Sequence, residues 1–94
     1  MNHPEFNIRV AVAEDGQLLA SWAQAMALET EHKHLDGDTV LKGVQAGIAD
    51  PKRARYFIAM SGNSPAGTLM LTTEWSDWRN ADWWWIQSVY VQPD

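Results

Sequence analysis

Ile86-Gln87-Ser88-Val89-Tyr90-Val91-Gln92-Pro93-Asp94 is rich in β-branched and aromatic residues up to Val91 and then meets a proline. Such side chains suit a pleated surface, and a proline cannot donate to a sheet ladder, so the stretch predicts a strand that ends at Val91. Upstream, Trp83-Trp84-Trp85 extends it to residues 83–91. Alternation puts Trp83 and Trp85 on one face and Trp84 and Ile86 on the other. Both faces are apolar, which predicts a strand covered on two sides.

Working outward, Ser76 to Asp82 reads as a loop, and Thr68 to Glu74 as another strand with Leu69 and Leu71 facing opposite to Met70 and Thr72. Ser61-Gly62-Asn63-Ser64-Pro65-Ala66-Gly67 has the composition of a hairpin connection, and Arg55-Tyr56-Phe57-Ile58-Ala59-Met60 that of a strand before it. Val40, Leu41, Val44 and Ile48 form the stripe of a short helix, capped at Asp36 or Asp38 and stopped by Asp50-Pro51. Leu18, Leu19, Trp22, Met26 and Leu28 mark an earlier helix over about 16–29, with Asp15 placed to cap it. Ile8, Val10 and Val12 alternate with Arg9, Ala11 and Ala13 as a half-buried first strand. The fold class is therefore α+β, a mostly antiparallel sheet with the order β-α-α-β-β-β, in a single domain over residues 1–94.

Composition narrows the function classes. The 94 residues carry a formal charge of −5, and the only basic run is Lys52, Arg53 and Arg55. That is too short a footprint for phosphate neutralisation, so no nucleic-acid partner is expected. An acidic surface suits a cationic partner such as an amine, and equally suits plain solubility. With no cysteine, disulfides, thiolate metal sites and a cysteine nucleophile are excluded. No apolar run reaches the roughly 18 residues of a membrane span, and residues 1–6 hold no apolar signal core, so the expectation is a cytoplasmic protein with no membrane partner. His32 and His34 lie among Glu29, Glu31, Asp36 and Asp38 but read as a solvated loop, with no metal site. Five of the six tryptophans fall between Trp75 and Trp85, as either an aromatic wall for a ligand or a core and subunit contact.

The element order resembles the first half of the GNAT acetyltransferase fold. Ile8-Arg9-Val10-Ala11 with Glu14-Asp15 is similar to that family's opening strand and helix start. Tyr56-Phe57-Ile58-Ala59 and Ala66-Gly67-Thr68-Leu69-Met70 are similar to its second and third strands, and Val91-Gln92-Pro93-Asp94 to the V-x-P-(E/D) exit of its fourth. The resemblance covers nearly the whole chain. It implies an N-acetyltransferase that moves an acetyl group from acetyl-CoA to an amine of a small molecule or peptide. In the family that exit precedes an Arg/Gln-x-x-Gly-x-Gly/Ala loop whose backbone N–H groups cradle the CoA pyrophosphate. The 94 residues stop before such a loop, so the expectation is a partial domain, inactive by itself and binding acetyl-CoA weakly.

Acetyl transfer needs a neutral amine, a base for its proton and a donor to the developing oxyanion. The resemblance assigns backbone contacts with acetyl-CoA to Val89, Tyr90 and Val91. It puts Gln87 where some relatives carry a basic glutamate; a glutamine cannot take a proton, so a water relay or another carboxylate must serve, with Glu74, Glu29 and Glu31 as the candidates. Glu29 and Glu31, with Trp75, Trp78 and Trp85, are the expected acceptor-binding residues. The alternative is a non-catalytic binding or assembly module of GNAT-like shape. In either case the 83–91 strand offers an open edge, so a homo-oligomer is expected.

Overall fold

The computed structural model of the chain describes residues 6–93. The signal-sequence reading of residues 1–6 therefore lies almost wholly outside the described residues, as does Asp94. The elements are β1 (Phe6–Val10), a 3-10 turn (Ala13–Asp15), α1 (Gly16–Glu31), α2 (Gly37–Ala49), β2 (Arg55–Ser61), β3 (Ser64–Ser76) and β4 (Ala81–Val91). The strands form one antiparallel sheet in sequence order, with β4 at one edge. The β-α-α-β-β-β order is the one the periodicities predict. No helix among the described residues is long and apolar enough to cross a membrane.

Both helices lie on one face of the sheet. Ile58, at the centre of β2, is 0% exposed and packs with Leu19, Ala20, Trp22 and Val44. Tyr56, Met60 and Tyr90 border this core from the same face. The α2 stripe is as read from the sequence, and of its two candidate caps the chain uses Asp36. That carboxylate accepts from the Thr39 backbone N–H at 3.0 Å and its hydroxyl at 2.7 Å.

The other face is open. Ile8 and Val10, expected to be half-buried, are 68% and 63% exposed because they pair with Ala59 and Phe57 on the helix-free side. The residue β1 turns toward the helices is Arg9. Leu28, counted in the α1 stripe, is likewise exposed, while Ala20 and Ala27 are buried. Small side chains let α1 approach closely, and a stripe drawn from large residues alone misses them.

Arg9 explains why Asp15 does not cap α1. Its guanidinium donates two hydrogen bonds, of 2.7 and 2.8 Å, to the Asp15 carboxylate, which also accepts from the Val12 backbone N–H at 2.8 Å. Asp15 thus reaches back to the start of the 3-10 turn and leaves the first N–H groups of α1 to that turn. The bidentate bond to Arg9 holds the Asp15 carboxyl below the usual carboxylate range, against the opposing effect of burial. A depressed folded pKa stabilises the protein fully above the unfolded value, about 3.9, and that stabilisation fades as pH falls through the folded pKa. Asp15→Asn is therefore expected to cost about 1–2 kcal/mol at neutral pH. The difference from the parent chain should shrink below about pH 4, as urea titrations at several pH values would show.

The hairpins are tighter than their composition suggests. Gly62-Asn63 makes a two-residue turn with Gly62 at φ 61°, and Ser64 through Gly67, read as loop, already belong to β3. Ala66 is the extra residue where the pairing shifts between Ala59 and Met60, a bulge that admits Pro65 to the strand. The β3–β4 hairpin turns at residues 77–80, so both strands outrun their expected ends. Trp83, Trp84, Trp85 and Ile86 are all exposed, covered on neither side rather than on two.

Candidate functional site

Two features of β4 create the site. The first is a bulge. Met70 pairs with Ser88 but Leu71 with Ile86, leaving Gln87 without a partner across the ladder. The second is the strand's free edge. The Gln92 N–H donates to the Ala66 carbonyl at 2.8 Å. Bonded pairs alternate along an antiparallel ladder, so Tyr90 exchanges bonds with Thr68, and Val89 and Val91 turn their peptide groups outward. Of the three residues expected to meet acetyl-CoA through the backbone, the structure puts two on the open edge and one in the ladder.

On the helix side of the bulge lies an open cleft of about 280 Å³. Leu19, Trp22 and Met26 form its α1 wall, and Thr68, Met70 and Tyr90 its floor. Gln87 and Ser88 supply the polar end. Tyr90 leans on Trp22 with ring centroids 5.7 Å apart, which fixes the floor against the helix. Thr68 spends its hydroxyl on the Phe57 carbonyl at 2.9 Å. Tyr56 lines the cleft from β2, and burial raises the pKa of its hydroxyl, so it stays protonated.

Gln87 and Glu74, the two residues expected to carry the chemistry, share one face. The Thr72 hydroxyl meets Gln87 Oε1 at 3.4 Å, and Trp85 Nε1 donates to Glu74 Oε1 at 3.1 Å. Thr72 and Trp85 pair directly across the ladder. A polar strip therefore runs along β3 and β4 from the mouth of the cleft to the Glu74 carboxylate.

The expected acceptor-binding residues do not converge. Glu29 and Glu31 are exposed at the end of α1, with Glu29 one turn beyond Met26 and Glu31 3.9 Å from Lys33. Trp85 joins Glu74 on the polar strip. Trp75 and Trp78 line a hollow at the hairpin tip that Glu74 also borders, and Trp78 is 95% exposed there. Arg79 stacks on Trp83 at 4.2 Å and Arg55 over Trp84 at 5.2 Å, so two of the tryptophan faces are taken by the chain's own cations. His32 adopts the left-handed conformation that ends α1. The sequence places Trp22 and Met26 on the apolar stripe of α1 and Met70 on one face of its strand, with no sign that the three wall a cleft. No local signal marks the bulge that opens it.

No family model and no curated protein matches the chain. Solved structures do. The chain is similar to a possible acetyltransferase from Clostridium difficile 630, with 40% identity, a TM-score of 0.89, and coverage of 93% of this chain and 57% of that one. It is also similar in fold to a predicted acetyltransferase with acetyl-CoA from Clostridium acetobutylicum, at 19% identity, a TM-score of 0.72, and 95% and 61% coverage. A third is an aminoglycoside acetyltransferase from an uncultured soil metagenomic sample, in complex with sisomicin, at 15% identity and a TM-score of 0.62. The third match covers 93% of this chain and 56% of that protein. The chain thus spans little more than half the length of the structures it matches.

Proposed function

Because this chain carries the N-terminal half of the GNAT acetyltransferase fold, we propose that β4 and the cleft beside Gln87 serve acetyl transfer from acetyl-CoA to an amine. The observation that carries this reading is the bulge at Gln87, which joins a free strand edge to an apolar cleft at one point. An edge whose Val89 and Val91 peptide groups face outward fits the amide-bearing pantetheine arm as a further strand would fit it. Acetyl-CoA, when bound, supplies the thioester carbon: the amine nitrogen bonds to it, the C–S bond breaks with its electron pair leaving on sulfur, and the sulfur gains a proton as the nitrogen loses one.

The chain's own residues hold and deprotonate the amine. The Gln87 carboxamide oxygen accepts from the amine N–H and aims its lone pair. The proton leaves through water past the Thr72 hydroxyl to Glu74, the carboxylate that the Trp85 indole N–H holds on that face. The mostly apolar walls of the cleft make a charged amine costlier to hold than a neutral one. The exposed edge and open face also support self-association of copies, which sedimentation would report as a mass above that of one chain.

The test is thiol release and N-acetyl product from the protein as its gene encodes it, incubated with acetyl-CoA and a panel of primary amines. Stoichiometric product and thiol are expected. Glu74→Gln should lower kcat about a hundredfold, the low end for a general base. Turnover of no amine would overturn the proposal, and an unchanged kcat in Glu74→Gln would remove Glu74 from it.

A further inference from the structure

The cleft is more selective than acetyl transfer alone requires. None of the described residues that line it carries a formal charge, since Tyr56 is held protonated and Gln87 is neutral. The negative charges near it are placed elsewhere: Glu29 and Glu31 are exposed at the end of α1, and Glu74 is bonded to Trp85. An acceptor bearing several ammonium groups would lose their hydration here with no carboxylate in the walls to compensate. An apolar group instead meets Trp22, Met26 and Met70. A dry apolar cavity of about 150 Å³ holds one benzene ring, so this cleft of about 280 Å³ takes a single ring with a short alkyl arm. Its polar groups gather only at the Gln87 and Ser88 end, which orients the arm.

Resting on the acetyl-transfer reading for its chemistry, we propose that the acceptor is a primary amine carrying one aromatic or branched aliphatic group. That group lies against Trp22, Met26 and Met70, and the nitrogen sits at Gln87. Met26 and Trp22 are then the specificity-determining residues, and methionine is a side chain that adapts to rings of slightly different shape. The covalent step is the one already written, with the C–N bond formed and the C–S bond broken.

Two measurements test this. In the first, phenethylamine is titrated into the isotope-labelled protein without acetyl-CoA. The Trp22 indole and Met26 methyl resonances are expected to shift, and those of Trp75 and Trp78 to stay. In the second, kcat/KM is compared for phenethylamine and spermidine, with phenethylamine expected to lead at least tenfold. Met26→Glu should cut that preference at least tenfold, and Met26→Gln, a milder change, should cut it less. A preference for spermidine, or phenethylamine shifts confined to the hairpin tip, would overturn the proposal. If no amine is acetylated yet Trp22 and Met26 respond, the acetyl-transfer reading falls and the apolar-amine site stands. If amines are acetylated with Trp22 and Met26 unmoved, the site falls and the transfer reading stands.

Discussion

Ile58→Ala is expected to cost the domain about 3–4 kcal/mol, within the range for removing a buried isoleucine side chain. Ile58 is wholly buried and lies in β2 between Arg9 of β1 and Thr68 of β3, beneath both helices. Removing its side chain leaves a void bounded by Leu19, Trp22 and Val44, and helices anchored at both ends by short loops collapse into it only in part. A small domain stands only about 5–15 kcal/mol above its unfolded state, and one this size near the lower end, so the variant should be partly unfolded at room temperature. Ile58→Val, which removes one methyl group, should cost about 0.5–1.5 kcal/mol. Urea unfolding followed by circular dichroism measures both. A loss below about 1 kcal/mol for the alanine variant would mean that the helices do not pack on the sheet as described.

Gly67→Val should damage both stability and function. Gly67 lies on β3 opposite Val91, and a Cβ at that position would come within 2.7 Å of the Tyr90 carbonyl oxygen and 3.4 Å of the Val91 Cα. The obstacle is backbone, so no side-chain rotation relieves it and β4 itself must move. Overpacking of this kind costs about 1–3 kcal/mol for modest insertions, and valine belongs at or beyond the upper end. The displaced segment carries Tyr90, which leans on Trp22, and the outward peptide groups of Val89 and Val91. Acetyl transfer should therefore fall at least as steeply as stability, by about a hundredfold, matching about 2.7 kcal/mol of lost positioning. Thermal unfolding and the thiol-release assay together check this. A variant with full activity and an unchanged melting temperature would show that β4 does not need its place beside Gly67.

The elements legible in the sequence were those with local causes. Asp36 before Thr39 announces a helix start because a carboxylate three residues ahead of a free N–H is sufficient for a cap. The strands over Arg55–Ser61 and around Val89 follow from side chains that suit a pleated surface. What stayed hidden depends on partners distant in sequence. Whether Ile8 or Arg9 faces the helices is settled by the 3-10 turn that brings Asp15 under Arg9, and alternation alone cannot choose between the two faces. Pro65 and Gly67 look like loop residues until a bulge at Ala66 places them in a strand. The site was legible in part: the resemblance pointed to Gln87 and the strand after it. The cleft was not, because it exists only where α1 crosses the bulge. The tryptophan-rich stretch left open an aromatic wall or a core and subunit contact, and the structure divides the rings among three surroundings: the hairpin tip, the arginines Arg79 and Arg55 (the latter from β2), and Glu74.

The most direct measurement is amide hydrogen exchange on the protein as its gene encodes it at saturating acetyl-CoA, resolved residue by residue along β4. The account holds that the free edge of β4 receives the pantetheine arm while the ladder to β3 stays intact. It predicts slower exchange at the Val89 and Val91 amides on binding and no change at Tyr90, whose N–H is already committed to Thr68. Protection arising elsewhere in the fold, with Val89 and Val91 unaffected, would contradict it.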